Sequence, residues 1–396
     1  MKIGVVPGVR YYKKQKQYYT TTSYHKDMWM EYLDVFNDVL ILAQAQKTIK
    51  VEDGFKPVLD KNIEFLEYPW AKGVLTTGCR LPAMFLRAYK ASQKADVWLL
   101  HAPSFETIAL WPWLIMFNKP YALILRGEQT LSIPYLKMRG IKNARFVTWV
   151  FKTILWLQRS SAVACVGVAR YLSETYRPLG RYKKIYAISD NRIPLDMYRT
   201  PKSFSDVFKN RNIICLGRVE GQKNPIGMIK ALTELDKLGF KKWQFTWVGD
   251  GPLKEKAQKV AKELGLEERV RFLGFVPWDN IFDILEKSDL YILNSVSEGM
   301  PRAMLEAMAC ALPCIGTNIC GIPELLDPED MVPIMADRKL ALKMYEVLND
   351  AKRLNEMSFR NLERAKDYSS ENLIKKQNNF YRDLKNSVVL NDNVSN

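Results

Sequence analysis

Beyond residue 210 the chain alternates between two kinds of segment. Short apolar runs rich in β-branched and aromatic residues, NIICLGR (212–218), WQFTWVGD (243–250), VRFLGFV (270–276), DLYILNS (289–295) and PCIGT (313–317), read as strands. Between them, 224–239, 253–265, 280–288 and 302–310 carry apolar residues at spacings of three and four, and the first two close on glycine. Strands alternating with helices predict a parallel sheet wrapped on both faces, a doubly wound α/β domain.

The first half repeats this logic less cleanly. KIGVVPG (2–8), VLILAQ (39–44), IEFLEYP (63–69), DVWLLHAP (96–103), YALILRG (121–127), AVACVGV (162–168) and KKIYAIS (183–189) read as strands, with helical segments between most of them. The run 142–159 interleaves aromatics with cations. It reads either as a buried helix whose cations snorkel to water or as a face turned to lipid. A weakly patterned stretch, 194–210, suggests an interdomain linker, and 370–396 a final amphipathic helix with a polar, frayed tail from 386 onward. The expected domains are therefore 1–200, 201–370 and a C-terminal segment 371–396.

Composition narrows the function. At 396 residues and 47% apolar, the chain can build two or three cores at about 150 residues per domain. Six cysteines without a CxxC pair, and only His25 and His101, argue against a disulfide framework or a catalytic zinc. The longest apolar stretches fall short of the roughly 18 residues that a membrane span needs, and the first residues read as a strand, so a cytoplasmic protein is expected.

Charge is unevenly spread. Residues 1–200 hold 30 basic and 15 acidic side chains, which accounts for nearly all of the formal charge of +16. That half is expected to meet something anionic: a nucleic acid, a membrane surface at its inner face, or a phosphorylated acceptor. No nucleic-acid motif accompanies the charge, so nucleic acid is not expected as a partner.

The candidate chemistry lies in loops leaving the predicted strands, where doubly wound sheets bind ligands. Gly217, Arg218 and Lys223 stand in GRVEGQKN, and Gly249, Gly274, Phe275 and Val276 follow the next two strands. In SVSEGMPRAMLEAMAC, Pro301 is expected in the first turn of a helix, with backbone N–H groups near Gly299 and Met300 facing an anion. Arg218 offers a fork and Lys223 a point charge for phosphate, while Glu298 and Glu306 can accept sugar hydroxyls.

On these residues the chain resembles the retaining family-four (group 1) glycosyltransferases. The pattern is two glutamates with seven residues between them, Glu298 and Glu306, preceded by the Arg and Lys of GRVEGQKN and accompanied in order by VGDGP, VRFLGFV and GIPELL. The resemblance implies a GT-B fold of two facing Rossmann-like doubly wound domains, with a C-terminal crossover helix returning to the first. It implies transfer of a hexosyl group, with retention, from a nucleotide-diphosphate sugar to a glycan or lipid-linked glycan in cell-surface polysaccharide synthesis.

It also implies that Arg218 and Lys223 hold the diphosphate, that Glu298 with Gly299, Met300 and Pro301 holds the sugar, that Glu306 binds ribose and that Gly274, Phe275 and Val276 line the base. No cofactor or metal is expected.

The chain departs from the family pattern in its first half. Gly8 is the single glycine after the first strand available to approach donor phosphates, and Arg126 stands where many members carry a histidine. His101 and Arg126 are the acceptor-side candidates. The competing readings are a noncatalytic polyanion-binding protein and a GT-B nucleotide-sugar epimerase.

Overall fold

The computed structural model describes residues 1–48, 54–71, 74–127, 133–138, 140–180, 184–205 and 210–392. They form two compact units. The first comprises Met1–Arg126, Arg145–Ile188 and Lys375–Asn396, and the second Gly127–Ala144 and Ser189–Ile374.

In the first unit the strands are β1 (Lys2–Val6), β2 (Tyr11–Lys14), β3 (Gln17–Thr20), β4 (Asp38–Lys47), β5 (Lys56–Pro57), β6 (Ile63–Tyr68), β7 (Val97–His101), β8 (Tyr121–Leu125), β9 (Ala164–Gly167) and β10 (Lys184–Ala187). Seven of them pair in parallel in the order β10-β9-β8-β7-β1-β4-β6. These are the seven apolar runs of the first half. The central strands are near-continuous apolar runs because a parallel sheet is covered on both faces, while β6 at the sheet edge carries half-buried Glu64 and Glu67.

The hairpin β2–β3 and the short β5 have no counterpart in the hydrophobic pattern. β2 runs on beyond β1 along the end of β4, pairing Tyr11 with Ala45, and turns back through Gln15 at φ 55°. Tyr18 of this hairpin stacks on Phe65 at 4.0 Å, so the ribbon is held by rings rather than by apolar alternation.

The second unit contains β11 (Arg211–Leu216), β12 (Trp243–Val248), β13 (Val270–Gly274), β14 (Leu290–Leu293), β15 (Cys314–Thr317) and β16 (Met331–Val332), all parallel in the order β13-β12-β11-β14-β15-β16. The strand order reverses between β11 and β14, and in the first unit between β1 and β7. Such reversals open a crevice at the carboxyl ends of the two strands concerned. The core of the second unit is built on Trp243, Phe245 and Trp247 of β12 with Met228, Leu232 and Leu235 of the helix Pro225–Lys237.

Three expectations change. The stretch expected as a linker is pinned: the backbone N–H of Lys202 donates to Ser358 Oγ at 2.8 Å, and Phe204 exchanges hydrogen bonds with Asn355 at 2.7 and 3.1 Å. Backbone groups without strand partners are satisfied there by polar side chains of the helix Ala351–Lys366. Residues 206–209 of that stretch lie outside the described ones.

The tail expected to fray from 386 continues as helix, in Ser370–Asp392, with 393–396 outside the described residues. Its Phe380, Tyr381 and Leu384 are buried in the first unit's core, and Lys385 Nζ donates to the Val35 carbonyl at 2.7 Å. The third change concerns 142–159. Its helix, Ala144–Ser161, leaves Phe146, Trp149 and Trp156 more than half exposed, at 63%, 63% and 56%. Snorkelling cations do not describe it, because the aromatic rings themselves face outward.

Phe380 is 2% exposed, so Phe380→Ala is expected to destabilise the first unit by about 3–5 kcal/mol, read from urea unfolding. An unchanged midpoint would mean that the last helix contributes nothing to that unit.

Candidate active site

In the second unit the loop after β11 carries Gly217, Arg218 and Lys223. A single 3-10 turn, Gly221–Lys223, leads to Asn224 at φ 51°, whose side chain accepts from the Gly227 N–H at 3.2 Å and caps the helix Pro225–Lys237. The cap fixes where the turn ends and so where Lys223 emerges. Gly217 sits at φ 141°, and a Cβ there would lie 3.0 Å from Lys223 Cε. The glycine makes room for the lysine chain.

Across the crevice, the loop after β14 carries Ser295 to Pro301. It is tied to the β11 loop by Gln222: its Nε2 donates to the Ser297 carbonyl at 2.7 Å and its carbonyl accepts from the Val296 N–H at 2.8 Å. Within this frame Lys223 Nζ donates to Glu298 Oε1 at 2.5 Å, with side chains only 15% and 8% exposed. The diphosphate-binding lysine and the sugar-binding glutamate of the sequence reading are therefore ion-paired.

Pro301 stands at the N-cap of the helix Arg302–Ala309 rather than inside its first turn. Its carbonyl accepts from Met304 at 3.1 Å and Leu305 at 3.2 Å, and no side chain caps the helix. An uncapped N-terminus presents free donors and the positive end of the helix dipole. Met300 is buried, while Gly299 is half-buried.

Glu306, in the second turn, is 6% exposed and accepts from Trp278 Nε1 at 3.1 Å. Burial pushes its carboxyl above the usual value, against the opposing pull of the Trp278 hydrogen bond and of Arg302. Trp278 opens the helix Trp278–Glu286, and sequence reasoning passed it over. An aromatic residue at the start of a helix carries no motif, and only its indole N–H marks it as a carboxylate partner.

The three strand-end glycines pack on one another. A Cβ on Gly249 would lie 2.1 Å from the Gly217 carbonyl oxygen, and the Gly249 N–H donates to the Gly274 carbonyl at 2.8 Å. Beside them Phe275 is 83% exposed and Val276 half-buried. Arg218 reaches outward with 71% of its side chain exposed, 3.5 Å from Glu220. The second unit thus gathers Gly217, Lys223, Glu298 and the helix terminus at one crevice, with Glu306 in the second turn of that helix.

In the first unit, Gly8 follows β1 at φ 65°, and a Cβ on it would meet the His101 Cβ at 3.4 Å. His101 ends β7 with 8% exposure. Its Nδ1 lies 3.4 Å from Tyr24 Oη, and its Nε2 is buried without a hydrogen-bond partner among the described residues. Arg126, just past β8, lays its guanidinium over the Tyr24 ring at 4.7 Å. Burial and the nearby Arg126 charge hold His101 well below the usual imidazole range, so the ring is neutral. Tyr24, in the loop after β3, has no sequence signal of its own.

Among the described residues no group of three or more His, Cys, Asp or Glu side chains is placed to hold a metal ion, and no helix is long and apolar enough to cross a membrane.

A doubly wound sheet with glycine loops, a lysine and an uncapped helix at its switch point is an arrangement suited to an anionic ligand. Comparison with known proteins specifies it further. Residues 201–364 match the family described as Glycosyl transferases group 1. N-acetyl-alpha-D-glucosaminyl L-malate synthase of Bacillus anthracis is 29% identical over 215 residues, 52% of this chain and 50% of that protein.

The Campylobacter jejuni enzyme named GalNAc-alpha-(1->4)-GalNAc-alpha-(1->3)-diNAcBac-PP-undecaprenol alpha-1,4-N-acetyl-D-galactosaminyltransferase is 29% identical over 190 residues, 47% of this chain and 52% of that protein. The match thus spans about half the length of these two relatives. The Anabaena protein HepE, solved in complex with UDP, has the same fold, with a TM-score of 0.64 over 96% of this chain and 99% of that one at 16% identity. The fold is GT-B.

Glu306→Gln keeps the acceptor for Trp278 but removes a desolvated charge. Because the folded-state carboxyl titrates above its ordinary 4.5, the wild type loses stability as pH rises from that value through the raised one, and the glutamine variant does not. Thermal melts across this range are expected to converge at acid pH and to show the variant more stable at neutral pH. Parallel melting curves at every pH would contradict the burial argument.

Proposed function

We propose that the protein is a retaining hexosyltransferase that moves a sugar from a nucleotide-diphosphate sugar to a hydroxyl of a glycan or lipid-linked glycan. The observation that carries the reading is the Lys223–Glu298 pair, held at the switch point of the second unit by the Gln222 tie. The match of residues 201–364 to the group 1 glycosyl transferases supports the donor class. The Campylobacter jejuni relative, whose name includes a PP-undecaprenol-linked acceptor, supports the lipid-linked acceptor. The reading places the protein in cell-surface glycan synthesis at the cytoplasmic face of a membrane, in peripheral contact with anionic lipid.

In this reading the acceptor hydroxyl oxygen forms the new bond to the anomeric carbon as the bond to the diphosphate oxygen breaks. The electron pair goes to the leaving nucleoside diphosphate, and the acceptor's proton is released. Lys223 and Arg218 offset the charge that develops on the diphosphate, assisted by the terminus of Arg302–Ala309, so the reading calls for no resident metal or cofactor. Glu298 and the backbone of Gly299, Met300 and Pro301 orient the sugar, and Glu306 accepts from the ribose. Gly274, Phe275 and Val276, with Gly217 and Gly249 behind them, border the base. In the first unit, the reading assigns Gly8 to close backbone approach to phosphate and His101 and Arg126 to the acceptor.

Thermal shifts with UDP, GDP, ADP and CMP test this. One nucleotide at 100 times its dissociation constant is expected to add about 2.7 kcal/mol of stability, and Lys223→Met to abolish the shift. No shift with any of the four in folded protein would overturn the reading in favour of a polyanion binder. Glu298→Gln is expected to lower transfer at least about tenfold, corresponding to ~1.4 kcal/mol of lost transition-state stabilisation. Full transfer in that variant would remove Glu298 from the site.

A further inference from the structure

Helix Ala144–Ser161, which belongs to the first unit from Arg145 onward, presents an unusual outer face. Arg145, Phe146, Trp149, Lys152, Thr153, Trp156, Leu157, Ser160 and Ser161 are its exposed positions. At 3.6 residues per turn they share an arc of about 180°, with the rings and Leu157 in its middle and Ser161 at its far edge. Three aromatic rings and a leucine occupy that arc, and Phe146 and Trp149 stack on each other at 6.1 Å. Arg145 and Lys152 line one edge of it.

Scattered exposed apolar residues are ordinary, but a continuous stripe of large rings marks an interaction surface. The other tryptophans of the first unit's aromatic runs behave differently. Trp111 and Trp113 turn inward, donating to Tyr121 Oη at 2.9 Å and to the Phe85 carbonyl at 3.0 Å. Trp149 and Trp156 are thus singled out by the fold, not by composition.

Charge decides what covers the stripe. From 129 to 173 the chain has no acidic residue, and seven lysines and arginines lie between 137 and 170. A rings-plus-cations face without acids is complementary to a surface that is apolar below and anionic above. We propose that this helix lies in the headgroup region of an anionic bilayer, with Phe146, Trp149 and Trp156 inserted and Arg145 and Lys152 on lipid phosphates. This rests on, and gives a location to, the membrane contact in the functional reading.

Flotation of the full chain with phosphatidylcholine vesicles, with and without phosphatidylglycerol, tests it. Co-flotation is expected with the anionic vesicles at about 50 mM salt and its loss at about 500 mM, where the Debye length is several times shorter. Neutralising both cations in the R145Q/K152Q variant is expected to weaken partitioning about 30-fold, from ~1 kcal/mol per cation at such a surface. The W149S/W156S variant is expected to stay at the bottom of the gradient.

No flotation of the wild type at low salt, or equal flotation of both variants, would overturn the proposal. So would concentration-dependent self-association that W149S/W156S abolishes while vesicle binding is unchanged, which would assign the stripe to a second copy of the chain. If W149S/W156S fails to fold, the cation variant alone decides. Nucleotide-induced thermal shifts are expected to persist in every folded variant, so a failure of docking is separable from a failure of the transferase reading.

Discussion

The ion pair between Lys223 and Glu298 is the constraint on which the second unit's site depends. Both side chains are nearly out of water, and removing one partner of such a pair leaves a stranded charge costing about 3–5 kcal/mol. The surrounding structure is organised to hold the two together. Gly217 has no side chain where the lysine stem passes, Asn224 fixes the end of the lysine's turn, and Gln222 bonds the two loops across the crevice. The strand order supplies the rest, because only at the reversal between β11 and β14 do two such loops leave adjacent strands without a helix covering them.

The same topology gives the first unit a different chemistry. At its reversal, His101 and Arg126 meet Tyr24 and Gly8 lies beside His101, with the His101 Nε2 and the Tyr11 hydroxyl buried and unpartnered among the described residues. Orphaned buried polar atoms are expensive in a native fold, and their clustering beside a guanidinium suits a polar ligand better than it suits packing. A neutral imidazole there can accept or donate but repels no cationic neighbour. One sheet design, used twice, thus places a buried Lys223–Glu298 pair at the reversal of one unit and a buried His101 beside Tyr24 and Arg126 at that of the other.

Much of this was legible in the sequence, for identifiable reasons. The parallel strands were readable because burial on both faces makes them continuous apolar runs, and the site loops because doubly wound sheets place ligands at strand ends. The hairpin Tyr11–Thr20 was not, since tyrosine rings stack on Phe65 without producing alternation of apolar and polar positions. The segment from 194 looked like a linker because its polar bonds are made to a helix some 150 positions further along.

In the site, residue types identified Lys223, Glu298 and Glu306, but pairing could not be read from spacing: Lys223 and Glu298 are 75 positions apart. Trp278 and Tyr24 were missed because their roles come from a single polar atom on an otherwise packing side chain. The direction in which the rings of Ala144–Ser161 point also required the fold, since an amphipathic period does not say which face the core takes.

The central claim is that Lys223 and Glu298 act as one unit in holding a nucleoside diphosphate. The most direct measurement is a double-mutant cycle, with Lys223→Met, Glu298→Gln and the combined variant, on the affinity of the diphosphate that binds, by titration calorimetry. A coupling of about 1 kcal/mol or more is predicted, because each substitution alone leaves the other group mispaired. Additivity within about 0.5 kcal/mol would contradict the account and reduce the pair to a structural feature of the second unit.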